Sequence, residues 1–273
     1  MHQEKLQSFL QSNHESVEGW FFPLDQYVFL ELFLMHASMG VQGDVCEIGV
    51  YQGKSLILLS ILKGEHERLL GFDLFAGEDE ELTQANLDKY GVNSDVTLVK
   101  GLTSELTTRS LDELVSQPVR FLHVDAGHEY HEVLEQLEMF SPYLTDAGII
   151  AMDDYQDREF PGIEAATLDF ALKDRPRRFV PFLASGNKMF LCAPALTAPF
   201  QKFLINRQNF RDSCRLTRVR DFDVLILKSK LPVESEAIER QIDRRYFPRR
   251  LADHSDGASR ASIYSQLEFG SGR

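Results

Sequence analysis

Five short apolar runs dominate the first half of this chain, at 45–49, 68–73, 96–101, 119–125 and 148–154. Each ends on a glycine or an acid, and helical stretches separate them, among them 54–62, 129–143 and 162–172. Near-continuous runs of Val, Ile, Leu and Phe suit strands covered on both faces. Strands alternating with helices build a parallel sheet. Two further runs, 178–183 and 188–192, flank Ala184-Ser185-Gly186-Asn187. Ser-Gly-Asn is turn chemistry, so this pair reads as a β-hairpin. The expected fold is therefore α/β and Rossmann-like, a seven-stranded, mostly parallel sheet closed by an antiparallel hairpin. Residues 1–40 read as an N-terminal helical cap, 41–195 as the core and 196–273 as a C-terminal extension. In the cap, Asp25 is placed to cap a helix that Gly40 and Gly43 end. The aromatic turn 19–23 before it either packs inward or covers a ligand. In the extension, 200–209 reads as a helix, 222–227 as an apolar strand and 253–273 as a mobile tail rich in Ser, Gly and charge.

At 273 residues, 43% apolar and 26% charged, the chain is not a disordered polymer, a collagen repeat or a coiled coil. No apolar run reaches the roughly 18–20 residues that span a bilayer, and the N-terminus lacks a secretory pattern. Cys46, Cys192 and Cys214 are odd in number and far apart, as for reduced thiols in a cytoplasmic protein. A net charge of −13 argues against non-specific nucleic-acid binding. The charge is uneven. Residues 202–250 hold 13 Lys and Arg against 7 Asp and Glu, or +6, which leaves about −19 elsewhere. That basic stretch is either a solvated face or a contact for an anionic partner.

Ligands of open α/β sheets bind beyond the C-terminal ends of the strands. The first such loop runs Glu47-Ile48-Gly49-Val50-Tyr51-Gln52-Gly53-Lys54-Ser55. It lacks the G-x-G-x-x-G of dinucleotide sites. It also lacks a P-loop, because three residues and not four separate Gly49 from Gly53. What remains is E-x-G-x-x-x-G, with Asp73 closing the second strand and able to accept from ribose hydroxyls. A ligand with a ribose and a cation but no phosphate fits an acidic loop of this kind, and S-adenosylmethionine is one. A nicotinamide-dependent dehydrogenase is disfavoured by the missing glycine pattern. Elsewhere, Asp125 ends the fourth strand and Asp153 and Asp154 the fifth. Carboxylates gathered at one sheet edge need a cation or protons between them, and oxygen ligands favour Mg²⁺, then Mn²⁺ or Ca²⁺.

Glu47-x-Gly49-x-Tyr51-x-Gly53-x-Ser55 resembles motif I of class I methyltransferases, especially the catechol O-methyltransferase branch. The segments 121–128 and 149–154 are similar to that branch's metal-binding strands, and more so to macrocin-type sugar O-methyltransferases, which have histidine three residues after the first aspartate. The resemblance covers roughly 19–193. It implies S-adenosylmethionine held by Glu47, Gly49, Tyr51, Gly53, Ser55, Asp73, Leu74, Leu102, Thr103 and Asp125. It implies a divalent metal on Asp125, Asp153 and Asp154. It gives catalytic duty to Asp125 and to His128 as the base that deprotonates an acceptor hydroxyl. His123 reads as core, His131 as helix surface, and neither Cys46 nor Cys192 as catalytic. The expected partner is a small-molecule or sugar hydroxyl acceptor, with no nucleic acid, no membrane and a homodimer as the default assembly. The alternatives are a non-catalytic S-adenosylmethionine-binding protein and a metal-independent N-methyltransferase.

Overall fold

The computed structural model describes residues 3–10, 16–173, 176–207, 210 and 213–227. The tail at 253–273 and the basic stretch beyond 227 lie outside the described residues. Two helices, α1 (Gln3–Leu10) and α2 (Pro23–Ser38), precede the alternating region. There follow β1 (Asp44–Ile48), α3 (Lys54–Leu62), β2 (Leu69–Asp73), α4 (Asp79–Tyr90) and β3 (Val96–Lys100). Next come α5 (Thr108–Leu114), β4 (Val119–Val124), α6 (Tyr130–Phe140), β5 (Leu144–Met152) and α7 (Pro161–Lys173). The chain continues with β6 (Val180–Ser185), β7 (Lys188–Cys192), α8 (Thr197–Ile205), β8 (Cys214–Val219) and β9 (Phe222–Leu227).

Among the described residues nine strands share one sheet in the order β3-β2-β1-β4-β5-β7-β6-β9-β8. The first five pair in parallel, and β7 runs antiparallel between β5 and β6. Seven strands were expected in the sheet, and 222–227, now β9, was expected as a strand of the extension. The correction is at the far edge, where β9 pairs in parallel with β6 and β8 closes an antiparallel hairpin on β9. Strand β8 escaped notice because it carries Arg215 and Arg218 and is largely solvated, as suits an edge. Among the described residues no helix is long and apolar enough to cross a membrane.

Side chains alternate across the sheet, and the two faces differ. Cys46, Ile48, Leu122, Val124, Ile150 and Met152 join the apolar cluster that also takes in Val133 and Leu137 of α6 and Ile163 of α7. Phe121, His123 and Phe190 face the other way, onto Phe29 of α2, with ring centroids 5.0, 5.1 and 6.2 Å from it. Helix α2 is buried nearly all round. It starts at Pro23, whose fixed φ suits a first helical position, after Phe22 as N-cap. Asp25 is thus not the cap that was expected. It lies in the first turn and is buried.

Helix α2 also carries a pH-sensitive group. His36 Nε2 lies 3.0 Å from the Ala147 carbonyl, and Nδ1 lies 3.3 Å from an Arg120 nitrogen. Burial and the Arg120 charge push its pKa from 6.5 down to about 3. The unfolded chain therefore takes up this proton first as pH falls. The contribution is complete above 6.5 and declines below it, by a limiting ~1.4 kcal/mol per pH unit. Urea unfolding at pH 7 and pH 5 should show the stability difference between the parent and His36→Gln shift by about 2 kcal/mol against the parent as pH falls. An unchanged pH slope in His36→Gln would contradict this assignment.

Candidate functional site

The loop after β1 turns through three left-handed positions, Gly49 (φ 90°), Tyr51 (φ 50°) and Gly53 (φ 87°), and Gly53 starts α3. Gly49 is required by space as well as by φ, since a Cβ there would lie 2.0 Å from the Asp125 carbonyl oxygen. Asp73 holds the loop. Its Oδ2 accepts from the backbone N–H of Val50 (2.6 Å) and Tyr51 (2.8 Å), and its Oδ1 from that of Phe75 (2.7 Å). Of roughly four acceptor positions on a carboxylate, about one remains for a ribose hydroxyl. Thr83 and Asn86 of α4 donate to the carbonyls of Tyr51 and Gln52, which fixes the loop from the other side. Trp20, 84% exposed, stacks on Tyr51 with centroids 6.3 Å apart.

A cavity of about 220 Å³ opens beyond the ends of β1, β2 and β3. Of the residues expected to bind the cofactor, Asp73, Leu74, Leu102 and Thr103 line it, beside Ile48 and Phe72. Gly49, Tyr51, Gly53 and Ser55 belong to the neighbouring loop and first turn of α3. Glu132, Glu135 and Gln136 of α6 also line the cavity, and the sequence reading missed them. Gln136 is 5% exposed; its Nε2 donates to Thr103 Oγ1 at 3.3 Å, and its Oε1 is buried without a partner. A buried carbonyl left unpaired is costly unless a ligand donates to it. Nothing stands within 4 Å of where a Gly101 Cβ would project. The room and the orphaned acceptor both suit an adenine carrying an amino group.

Beside the cavity a charged network lies on the α2 side of the sheet. Glu47 does not reach the cavity. It is fully buried opposite His123 on β4 and accepts from His123 Nδ1 at 2.7 Å. His123 Nε2 faces Asp153 Oδ2 at 3.6 Å, beyond hydrogen-bond length. Lys188 of β7, also buried, donates to that same Asp153 oxygen. Burial works against ionising Asp153, but Lys188 and His123 outweigh it and hold its carboxyl far below the usual range. Burial likewise opposes charge on His123, yet the neighbouring carboxylates of Asp153 and Glu47 lift its pKa to about 9. Asp125 moves the other way, pushed well up by burial and by the charge of Asp153. Burial also raises Asp25 to about 7, against the pull of Lys188.

Donor atoms of His123, Asp125 and Asp153 lie within 4.8 Å of one another. Asp154, expected as the third metal ligand, is outside that set. It sits at φ 50°, accepts from Asn187 Nδ2 at 2.8 Å, and places Oδ2 3.7 Å from His128 Nε2. His128 is partly exposed and stacks on Phe160, centroids 4.0 Å apart. Donor number and spacing would serve a cation, but Lys188 already sits against Asp153. As they stand, these residues do not fit a divalent metal.

The fold is that of the class I methyltransferases, and the comparisons agree. Residues 46–155 match the family described as a methyltransferase domain, a segment holding the first loop, Asp73, Asp125, His128, Asp153 and Asp154. An uncharacterized protein of Acanthamoeba polyphaga mimivirus is 29% identical over 114 residues, 41% of this chain and 51% of that one. The chain thus spans about half the length of that relative. Among solved structures, an O-methyltransferase from Bacillus cereus in complex with SAH aligns with a TM-score of 0.53 at 15% identity, covering 70% of this chain and 90% of that one. The O-methyltransferase TomG from Streptomyces achromogenes, in complex with SAM, aligns at 0.51 with 16% identity, covering 70% and 89%. At such identities the likeness establishes the fold.

Proposed function

We propose that this protein is an S-adenosylmethionine-dependent O-methyltransferase acting on a hydroxyl of a small molecule or sugar. The observation that carries the reading is the cavity at the ends of β1, β2 and β3, walled by Asp73 and Gln136, next to the His128–Asp154 pair. Bound S-adenosylmethionine would supply a methyl group on a sulfonium, leaving as S-adenosylhomocysteine once the acceptor oxygen holds the methyl. Leu74, Leu102, Thr103 and Gln136 hold the adenosine end. Asp73 shapes the loop of Gly49 to Gly53 around the rest. His128, steadied by Asp154 and by the Phe160 ring, takes the hydroxyl proton as the new carbon–oxygen bond forms. Trp20 and Tyr51 form an aromatic rim suited to the flat face of an acceptor. Divalent-metal assistance, implied by the resemblance, is not part of this proposal, because Lys188 occupies the cation position.

The test is transfer of labelled methyl from S-adenosylmethionine to a panel of sugar, phenol and amine acceptors, with S-adenosylhomocysteine counted as product. Label on a hydroxyl supports the reading. Label on amines alone would favour N-methylation, and cofactor binding without turnover on any acceptor a non-catalytic role. His128→Asn should lower kcat about 10²-fold or more while leaving S-adenosylhomocysteine affinity unchanged. Gln136→Leu keeps the bulk and loses the acceptor. Its S-adenosylhomocysteine Kd should rise about tenfold, or 1.4 kcal/mol. Equal affinity in Gln136→Leu would show that the orphaned oxygen does not meet the ligand.

A further inference from the structure

We propose that the ammonium of Lys188 is the resident cation of the carboxylate cluster, standing where a divalent metal would and making one unnecessary. What the cluster serves rests on the methyltransferase reading, whereas the identity of its cation does not.

Strand β7 pairs with β5 through Ala151 opposite Phe190 and Met152 opposite Met189. Carried one step further, that register sets Lys188 opposite Asp153, on the sheet face shared by Glu47 and His123. The Lys188 side chain is 1% exposed, and its Nζ lies on Asp153 Oδ2. Asp153 Oδ1 accepts the backbone N–H of Asp154 at 2.8 Å, so both oxygens are engaged. The Phe21 ring stands over the ammonium, 5.8 Å from centroid to nitrogen. A dication on Asp125 and Asp153 would meet a buried positive charge, and moving that charge aside would take it off the carboxylate it is hydrogen-bonded to.

The β6–β7 turn grips both aspartates with consecutive residues. Asn187 donates to Asp154, and Lys188 donates to Asp153. The Asn187 carbonyl accepts from Tyr155 N–H at 2.7 Å. Through Asp153 the lysine sets the backbone of Asp154, and Asp154 faces His128. Lys188 is therefore a positioning residue. The acceptor proton goes to His128, with no metal-held hydroxylate in between.

The test is Mn²⁺ binding to the full chain, freed of metal by EDTA and read by electron paramagnetic resonance. S-adenosylhomocysteine is titrated in parallel with and without EDTA. The parent chain should show no Mn²⁺ site tighter than about 1 mM, and its S-adenosylhomocysteine Kd should not respond to EDTA. Lys188→Met, similar in length but uncharged, should gain one Mn²⁺ per chain. Lys188→Arg, which keeps a cation there, should gain none. One tight Mn²⁺ site in the parent, lost in Asp153→Asn, overturns the proposal, and so does a folded Lys188→Met chain that takes up no Mn²⁺. If Lys188→Met does not fold, the parent titration alone decides. Failure of the parent to bind S-adenosylhomocysteine would sink the methyltransferase reading instead, and the Mn²⁺ result would still identify the cation.

Discussion

Gly49→Ala should abolish S-adenosylhomocysteine binding and destabilise the fold by about 4 kcal/mol, near the top of the range for single substitutions. Two penalties act together. The backbone is at φ 90°, where L side chains are strained. The added Cβ would also meet the Asp125 carbonyl oxygen at 2.0 Å and its carbon at 2.5 Å, which are backbone atoms and cannot swing aside. Relief requires β1 and β4 to separate at their ends. That breaks the Asp125 N–H bond to the Ile48 carbonyl, 2.7 Å, and pulls the first loop off Asp73. Gly77 is the control. It also has a positive φ, 59°, but no atom lies within 4 Å of its Cβ position, so Gly77→Ala carries strain without collision. Urea unfolding and calorimetry on both variants check this. Equal effects at the two glycines would show that the close approach of β1 to β4 is unimportant.

Asp153→Ala should cost about 3–5 kcal/mol, because it strands buried cations rather than merely removing a contact. Lys188 loses its hydrogen-bonded partner, and His123 keeps only Glu47. At this chain size that corresponds to a fall in Tm of about 10 °C. A solvated surface acid would cost under about 0.5 kcal/mol. The double variant Asp153→Ala with Lys188→Met removes both charges and should recover a good part of the loss. Such non-additivity marks direct coupling. Additive melting temperatures across the four proteins would mean that the pair does not interact as described.

The first five strands could be read from the sequence because each is an unbroken apolar run between turn residues. Parallel central strands must be covered on both faces, which leaves that signature. Strand β8 could not, because it is an edge strand with arginines on it and needs only one partner. The cavity wall at the ends of β2 and β3 was legible for a related reason. Asp73, Leu74, Leu102 and Thr103 follow directly on strand ends, where position in sequence fixes position in space. Gln136 does not. It falls on the buried stripe of α6 with Val133, Leu137 and Phe140, where spacing marks it as inward-facing but says nothing of a ligand, and only the packing of α6 brings it to Thr103. The charged network was half legible. Glu47, His123, Asp125 and Asp153 all fall on the same parity of their strands, so alternation alone puts them on one face. What alternation cannot give is the register of β7 on β5, and without it Lys188 is an ordinary strand residue. A missing cation was therefore inferred where the chain supplies its own.

The proposed binding of the adenosyl cofactor in the cavity beside Asp73 is tested most directly by calorimetric titration of S-adenosylhomocysteine into the purified chain, with NAD as control. The expected result is one saturable site per chain for S-adenosylhomocysteine, weakened by Gln136→Leu and lost in Gly49→Ala, with no heat from NAD. Saturable binding of NAD, or no binding of S-adenosylhomocysteine to a folded chain, would contradict it.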